Sequence, residues 1–99
     1  MQSPDASRPW LKFYPAGVPA DINPDSYASL LDLIDEGFTK FKSNAAYANM
    51  GKEMTFGELD ILSRNFAAHL QAVGMQKGDR IAIQMPNCLQ YPVALFGAL

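Results

Sequence analysis

The chain has 99 residues, of which 48% are hydrophobic, 11% aromatic and 18% charged, and its net charge is −2. These values predict one globular domain at most and argue against a disordered or collagen-like chain. The eight basic residues are scattered along the chain, so no basic patch is available to bind nucleic acid.

Cysteine and histidine are too few for several classes of site. Cys88 is the single cysteine and His69 the single histidine, which excludes an internal disulfide framework and a zinc finger. One cysteine fits a reducing compartment such as the cytosol. The first 20 residues contain no apolar signal-peptide core.

The uncharged run 81–99 approaches the length of a membrane-spanning helix. Two prolines and three side-chain amides interrupt it. A buried strand followed by a buried helix therefore explains it better than a membrane span.

Residues 1–25 hold five of the seven prolines and are predicted to form an extended arm without regular elements. The arm also carries large apolar side chains, at Trp10, Leu11, Phe13, Tyr14, Val18 and Ile22. Because disordered tails rarely contain so many aromatics, we expect it to pack across a domain or a neighbouring subunit. A disordered tail is the alternative.

The next segment predicts a helix over 26–42, with Asp25 or Ser26 as its N-cap. Apolar residues fall on one helical face, at Tyr27, Leu30, Leu31, Ile34, Phe38 and Phe41. A β-hairpin is predicted over 45–56, because Gly51 can take the positive φ that a tight turn needs.

A second helix is predicted over 56–73. Thr55 and Glu58 have the spacing of a capping box, in which each side chain bonds the other residue's backbone N–H. Gly74 occupies the position where a left-handed residue commonly ends a helix.

Apolar residues alternate with polar or small ones in 80–85, which predicts a strand. A third helix is predicted over 88–98, with Asn87 as its cap and Pro92 in its first turn. Together they would begin a parallel βαβ unit that lacks its return strand. Since 93–99 has no polar side, we expect a truncated α/β piece: an arm over 1–25 and an incomplete segment of a larger domain over 26–99.

No constellation of residues predicts catalysis. Gly51-Lys52 lacks the preceding Gly and following Ser or Thr of a phosphate loop, and Cys88 has no identifiable base in His69. Three further groups have ordinary explanations. Asp32, Asp35 and Glu36 fit a solvated helix face, Met50, Met54, Met75 and Met85 fit core filling, and Asp79-Arg80 fits a local ion pair.

Several segments nevertheless resemble one family over about Trp10 to Leu99. They are the arm Tyr14-Pro15-Ala16, Val18-Pro19 and Ile22-Asn23-Pro24, then Met54-Thr55-Phe56 with Leu59, Ser63-Arg64 and Ala67-Ala68, then Lys77 to Ala82, Met85-Pro86-Asn87 and Gln90 to Gly97. The chain is similar to the N-terminal segment of bacterial long-chain fatty-acid–CoA ligases, which are acyl-adenylate-forming enzymes. The 77–82 stretch is shared across that superfamily, whereas 85–97 resembles its long-chain branch.

The resemblance implies a parent enzyme that converts fatty acid, ATP and CoA to acyl-CoA, AMP and pyrophosphate, with Mg²⁺ as cofactor. In that family four catalytic features lie beyond the position of residue 99: the phosphate loop, the adenine-binding segment, the ribose-binding Asp and the catalytic Lys. The resemblance therefore assigns no catalytic, cofactor-binding or metal-binding residue to this sequence. The expected piece is inactive alone and serves as a scaffold or subunit contact.

The resemblance places the parent in the cytoplasm, or peripheral to the inner membrane. A freestanding interaction or regulatory module, and a piece of an aryl or medium-chain ligase, are the alternatives. The expected partners are the rest of the parent chain and a second copy. That copy would meet the chain through residues 88–99, an open strand edge or an exchanged arm.

Overall fold

A computed structural model describes residues 7–99 of the chain. Its elements in chain order are a 3-10 turn (Pro9–Phe13), helix α1 (Leu30–Lys40), strands β1 (Ala45–Asn49) and β2 (Lys52–Thr55), helix α2 (Phe56–Ala72) and helix α3 (Gln90–Ala98). This mixture of helices with an antiparallel two-stranded sheet confirms the predicted α/β class.

The predicted hairpin is confirmed. β1 and β2 pair antiparallel, with Asn49 opposite Lys52 and Ala48 opposite Glu53. Both residues of the connecting turn have positive φ, 50° at Met50 and 80° at Gly51. This is the backbone that a two-residue hairpin turn requires, because its twist matches that of the flanking strands.

The second predicted helix is confirmed as α2, together with its capping box. The Glu58 N–H donates to Thr55 Oγ1 at 3.1 Å, and the Thr55 N–H donates to Glu58 Oε2 at 3.3 Å. Gly74 follows the helix with φ of +92°, as the C-terminal glycine signal predicts.

The first helix begins at Leu30, four residues later than the predicted 26, and ends at Lys40. Ser29 is its N-cap and accepts from the Asp32 N–H at 3.3 Å. The predicted caps are wrong because Asn23 engages them in a local turn: its side-chain oxygen accepts from the Asp25 N–H, and its carbonyl from the Ser26 N–H and hydroxyl. Such turns compete with helix formation.

A small core lies where α1, β2, α2 and α3 meet. Phe38, Met54 and Leu59 are buried, and Leu59 is completely inaccessible. Phe96 of α3 meets Phe38 edge-on, with ring centroids 5.7 Å apart, a geometry that aromatic pairs favour. Much of the predicted apolar stripe of α1 stays outside this core, because Leu30 and Leu31 are exposed.

The strand predicted over 80–85 is wrong. In the described part of the chain the sheet consists of β1 and β2 alone, and residues 80–85 have no regular secondary structure. A strand exists only when a neighbour accepts and donates its backbone hydrogen bonds, and no described segment takes that place. Ile81 and Met85 are consequently exposed.

The third helix begins at Gln90, two residues later than predicted. Leu89 holds its N-cap position without a side-chain hydrogen bond, so Asn87 is not the cap. Pro92 lies in the first turn and is buried, as predicted. Of the apolar side chains that follow, Val93 and Phe96 pack against the core, whereas Leu95 and Leu99 are exposed.

The arm departs from prediction in two respects. Residues 1–6 lie outside the described residues, and the rest of the arm contains the 3-10 turn that Pro9 begins, where an entirely irregular segment was expected. Within residues 7–99 this turn packs on none of the helices or strands. Phe13 and Ile22 are largely exposed, so the expected packing across the domain is absent from the described chain.

Removing the hydroxyl of Thr55 tests how much the capping hydrogen bond of α2 contributes to the stability of the fold. We expect Thr55→Ala to lower the free energy of unfolding by about 1 kcal/mol, because the Glu58 N–H loses its acceptor. Urea unfolding followed by far-UV circular dichroism measures it. Thr39→Ala, at an exposed position of α1, is the control and should cost little, since alanine favours helix. Equal losses in both variants would contradict the capping role.

Candidate functional site

A cleft of about 700 Å³ lies between the three helices and the loop that follows α2. Phe38, Leu70, Ile81 and Phe96 contribute apolar walls. Polar side chains line it as well, at Asp35, Asp60, Ser63, Arg64, Gln71, Gln76, Lys77 and Asp79. The cleft is open to solvent and combines an apolar floor with a charged rim.

Arg64 is the centre of the charged rim. Its Nε donates to Asp60 Oδ1 at 2.6 Å, and its Nη2 donates to Asp35 Oδ1 at 3.0 Å. The hydrogen bond and charge of Asp60, with the charge of Asp35, raise the pKa of Arg64. Because two carboxylates already neutralise this guanidinium, the rim has a net negative charge and does not attract an anionic ligand.

The loop beyond α2 is held by Asp79. Its carboxylate accepts from the Gln76 N–H at 2.8 Å, and the Asp79 N–H donates to the Gln76 carbonyl at 3.0 Å. Gly78 has φ of +93° inside this turn. The predicted ion pair between Asp79 and Arg80 is wrong for the described chain, because the turn engages the carboxylate.

α2 and α3 form one wall of the cleft and approach closely at Gly97. A Cβ at this position would lie 2.8 Å from the Ser63 carbonyl oxygen and 2.8 Å from Phe66 Cδ2. Ser63 is buried there and its hydroxyl donates to the Asp60 carbonyl at 3.0 Å. Glycine is therefore required by the contact and not by backbone conformation.

A second groove of about 580 Å³ lies between the hairpin and α3. Met54, Leu62, Leu89 and Val93 contribute apolar surface, and its rim carries Lys52, Glu53 and Glu58. Met50 at the hairpin tip is 97% exposed. The prediction that the four methionines fill the core therefore holds for the buried Met54 and is wrong for the exposed Met50 and Met85.

The residues considered as catalytic candidates are not brought together. His69 is exposed on α2 and stacks on Phe66 at 6.5 Å between ring centroids, whereas Cys88 is half-buried before α3. Gly51 lies in the hairpin turn, and Lys52 begins β2. No group of three or more His, Cys, Asp or Glu side chains within residues 7–99 is arranged to hold a metal ion.

One feature of the rim was foreseeable from the sequence and another was not. Asp60 and Arg64 are four residues apart on one helix, a spacing that predicts an ion pair. Asp35 lies 29 residues from Arg64 along the chain. Only the packing of α1 against α2 reveals that second bond.

None of the helices over residues 7–99 is long and apolar enough to span a bilayer.

Comparison with known proteins assigns the chain to a family. Residues 34–99 match the model of the family described as AMP-binding enzyme. This match covers α2, α3, the hairpin and most of α1. The chain belongs to the AMP-binding enzyme family.

The similar proteins within this family are ligases. The chain is 56% identical over 91 residues to a long-chain-fatty-acid–CoA ligase of Salmonella typhimurium and 54% identical over 91 residues to one of Escherichia coli O6:H1, covering 91% of this chain and 16% of each ligase. It is 34% identical over all 99 residues to a ligase of the same name from Bacillus subtilis, covering 17% of that protein. No solved structure matches the chain.

The chain thus spans about one sixth of the length of the relatives that it matches. The resemblance to long-chain ligases predicted from the arm and from residues 85–97 is confirmed.

The tight contact at Gly97 gives the cleft a sharp test. We expect Gly97→Ala to lower the free energy of unfolding by about 1–3 kcal/mol, because the new methyl group must push α3 away from α2. Gly37→Ala is the matched control, since nothing lies within 4 Å of the Cβ position in α1. In that variant the free energy of unfolding should rise by up to about 1 kcal/mol, because alanine favours a helix more than glycine does. Chemical denaturation of both measures the difference, and a stabilised Gly97→Ala would contradict the close contact.

Proposed function

We propose that the chain is a segment of a long-chain fatty-acid–CoA ligase. The observation that carries this proposal is the 54–56% identity over 91% of the chain to proteins of that name. The complete enzyme would join fatty acid and ATP to give an acyl-adenylate and pyrophosphate. The thiol of coenzyme A would then displace AMP and give acyl-CoA.

The chemistry of that reaction sets what the enzyme must supply. A carboxylate is a poor electrophile until AMP becomes its leaving group, and the polyphosphate must be held by a Ser/Thr/Gly-rich loop and Mg²⁺. The described residues do not fit these groups, because Gly51 lies in the hairpin turn, Lys52 begins β2, and Arg64 is engaged by two carboxylates. We assign no catalytic, cofactor-binding or metal-binding residue to this chain.

The segment would act as a scaffold within the enzyme. Three features support this role: a small core centred on Leu59, a close-packed pair of helices, and two grooves with apolar walls. Both grooves would be covered by the rest of the ligase, since this chain spans 16% of the matched proteins' length. We place the whole enzyme in the cytoplasm or peripheral to the inner membrane, and the single cysteine supports a reducing compartment.

We expect the 99-residue chain to carry out no adenylation, because it has no loop that could hold a polyphosphate. The measurement is pyrophosphate release from ATP, Mg²⁺ and palmitate. A mock preparation from cells that lack the chain, purified in the same way, is the contamination control. Release above that control would contradict the scaffold role while leaving the family membership intact.

A freestanding interaction module is the competing function, favoured by the exposed apolar side chains of α3 and the hairpin tip. The reading frame distinguishes the two. Continuation past Leu99 into a Thr-Ser-Gly-Thr-Thr-Gly-like loop supports the ligase segment, and a stop codon there supports the module.

Self-association is the second part of the proposal. Leu95 and Leu99 are exposed on α3, and burying such a side chain fully is worth roughly 1.5–3 kcal/mol. A second copy would cover this surface when the rest of the ligase is absent. An open strand edge at 80–85 no longer supports the association, since no strand forms there in the structure. Arm exchange stays a proposal.

We expect sedimentation equilibrium to show a concentration-dependent dimer that Leu95→Glu with Leu99→Glu returns to monomer, because the added charges would be buried. Ile61→Glu is the matched control: Ile61 is 60% exposed on α2, and its replacement should leave the dimer intact. A wild-type monomer at every concentration would refute the self-association. Equal dissociation by the control would show that α3 is not the contact.

A further inference from the structure

The described part of the arm closes on itself through Arg8. Arg8 Nη1 donates to Asp21 Oδ2 at 3.2 Å, and Nη2 lies 2.9 Å from Asp21 Oδ1. Nη2 also donates to the Ala20 carbonyl at 2.6 Å. One guanidinium thus joins two points that are 12 and 13 residues away. We call this set of contacts the clasp.

The backbone between its ends turns twice. The Leu11 N–H donates to the Arg8 carbonyl at 3.2 Å and starts the 3-10 turn. The Val18 N–H then donates to the Pro15 carbonyl at 3.2 Å, and Gly17 has φ of +88° within that turn. A positive φ at the third residue is the backbone of a type II turn, which glycine takes without strain. These two turns bring Asp21 back to Arg8.

The closed loop stands apart from the core. Its 3-10 turn packs on none of the helices or strands over residues 7–99, and residues 12–21 are exposed. The side chain of Arg8 is only 32% exposed, although Asp21 is 76% exposed. The loop's shape therefore depends on its own turns and on the clasp.

We propose that the clasp is a conformational device that sets the arm as either a closed loop or an open, extended segment. The planar fork of arginine fits the two carboxylate oxygens, and the same group binds the Ala20 carbonyl, so losing one partner loosens the whole closure. An open segment over 8–21 could reach up to roughly 45 Å. In the closed loop, by contrast, the exposed aromatic side chains, Trp10 and Phe13 among them, cannot reach that far from the rest of the chain.

Limited proteolysis by chymotrypsin tests the clasp, because Trp10 and Phe13 lie inside the loop and a protease needs the backbone extended. Cleavage after these residues, identified by mass spectrometry, follows the population of open arm when the loop opens and closes rapidly. Asp21→Asn removes the ionic contact but adds no cleavage site. Asp25→Asn is the matched control, since Asp25 lies four residues beyond the clasp and pairs with no cation in the described residues.

We expect Asp21→Asn to accelerate cleavage in the loop by about twofold to fivefold, the range that an exposed ion pair supports. Asp25→Asn should leave the rate unchanged. An unchanged rate in Asp21→Asn would overturn the clasp, and so would an equal acceleration in Asp25→Asn. The assay is run at a dilution where the chain is monomeric, so its result is independent of the self-association proposed above.

Discussion

The contact of α3 with α2 is the constraint on which the rest of the fold depends. Gly97 leaves no room for a side chain against the Ser63 carbonyl and Phe66, and this close approach carries Phe96 onto Phe38 of α1. Leu59 is completely buried between these elements. Without the close approach, Phe38 of α1 would lose its edge-on contact with Phe96, and the cleft would lose one wall.

The surface around this core is unusual for so small a chain, because much of its apolar surface remains accessible. Leu30, Leu31, Leu95 and Leu99 are all exposed, as are Ile81 and Met85. Unmatched apolar surface of this kind marks a place where other protein packs. In the AMP-binding family, where the matched ligases are about six times longer, the surface agrees with the scaffold role proposed for the segment.

Charge plays a different part from apolar packing. Arg64 of α2 bonds Asp60 on its own helix and Asp35 on α1, and Arg8 closes the arm onto residues 20 and 21. Both arginines serve the fold, since each donates to acceptors within the described chain. Each guanidinium is thus already paired with carboxylate within the described chain.

Sequence alone determined the elements whose signals are local. The capping box at Thr55 and the glycine turn at Gly51 predicted α2 and the hairpin closely, since each signal lies within a few residues of the structure that it forms. The prediction from sequence misplaced the start of α1, because Asp25 and Ser26 donate hydrogen bonds to Asn23 in a turn that competes with the helix. The tertiary structure alone decided the outcome for 80–85, which alternates like a strand but has no neighbouring strand with which to bond. It also decided the bond between Asp35 and Arg64 and the requirement for glycine at 97. These depend on groups far apart in the chain that only packing brings together.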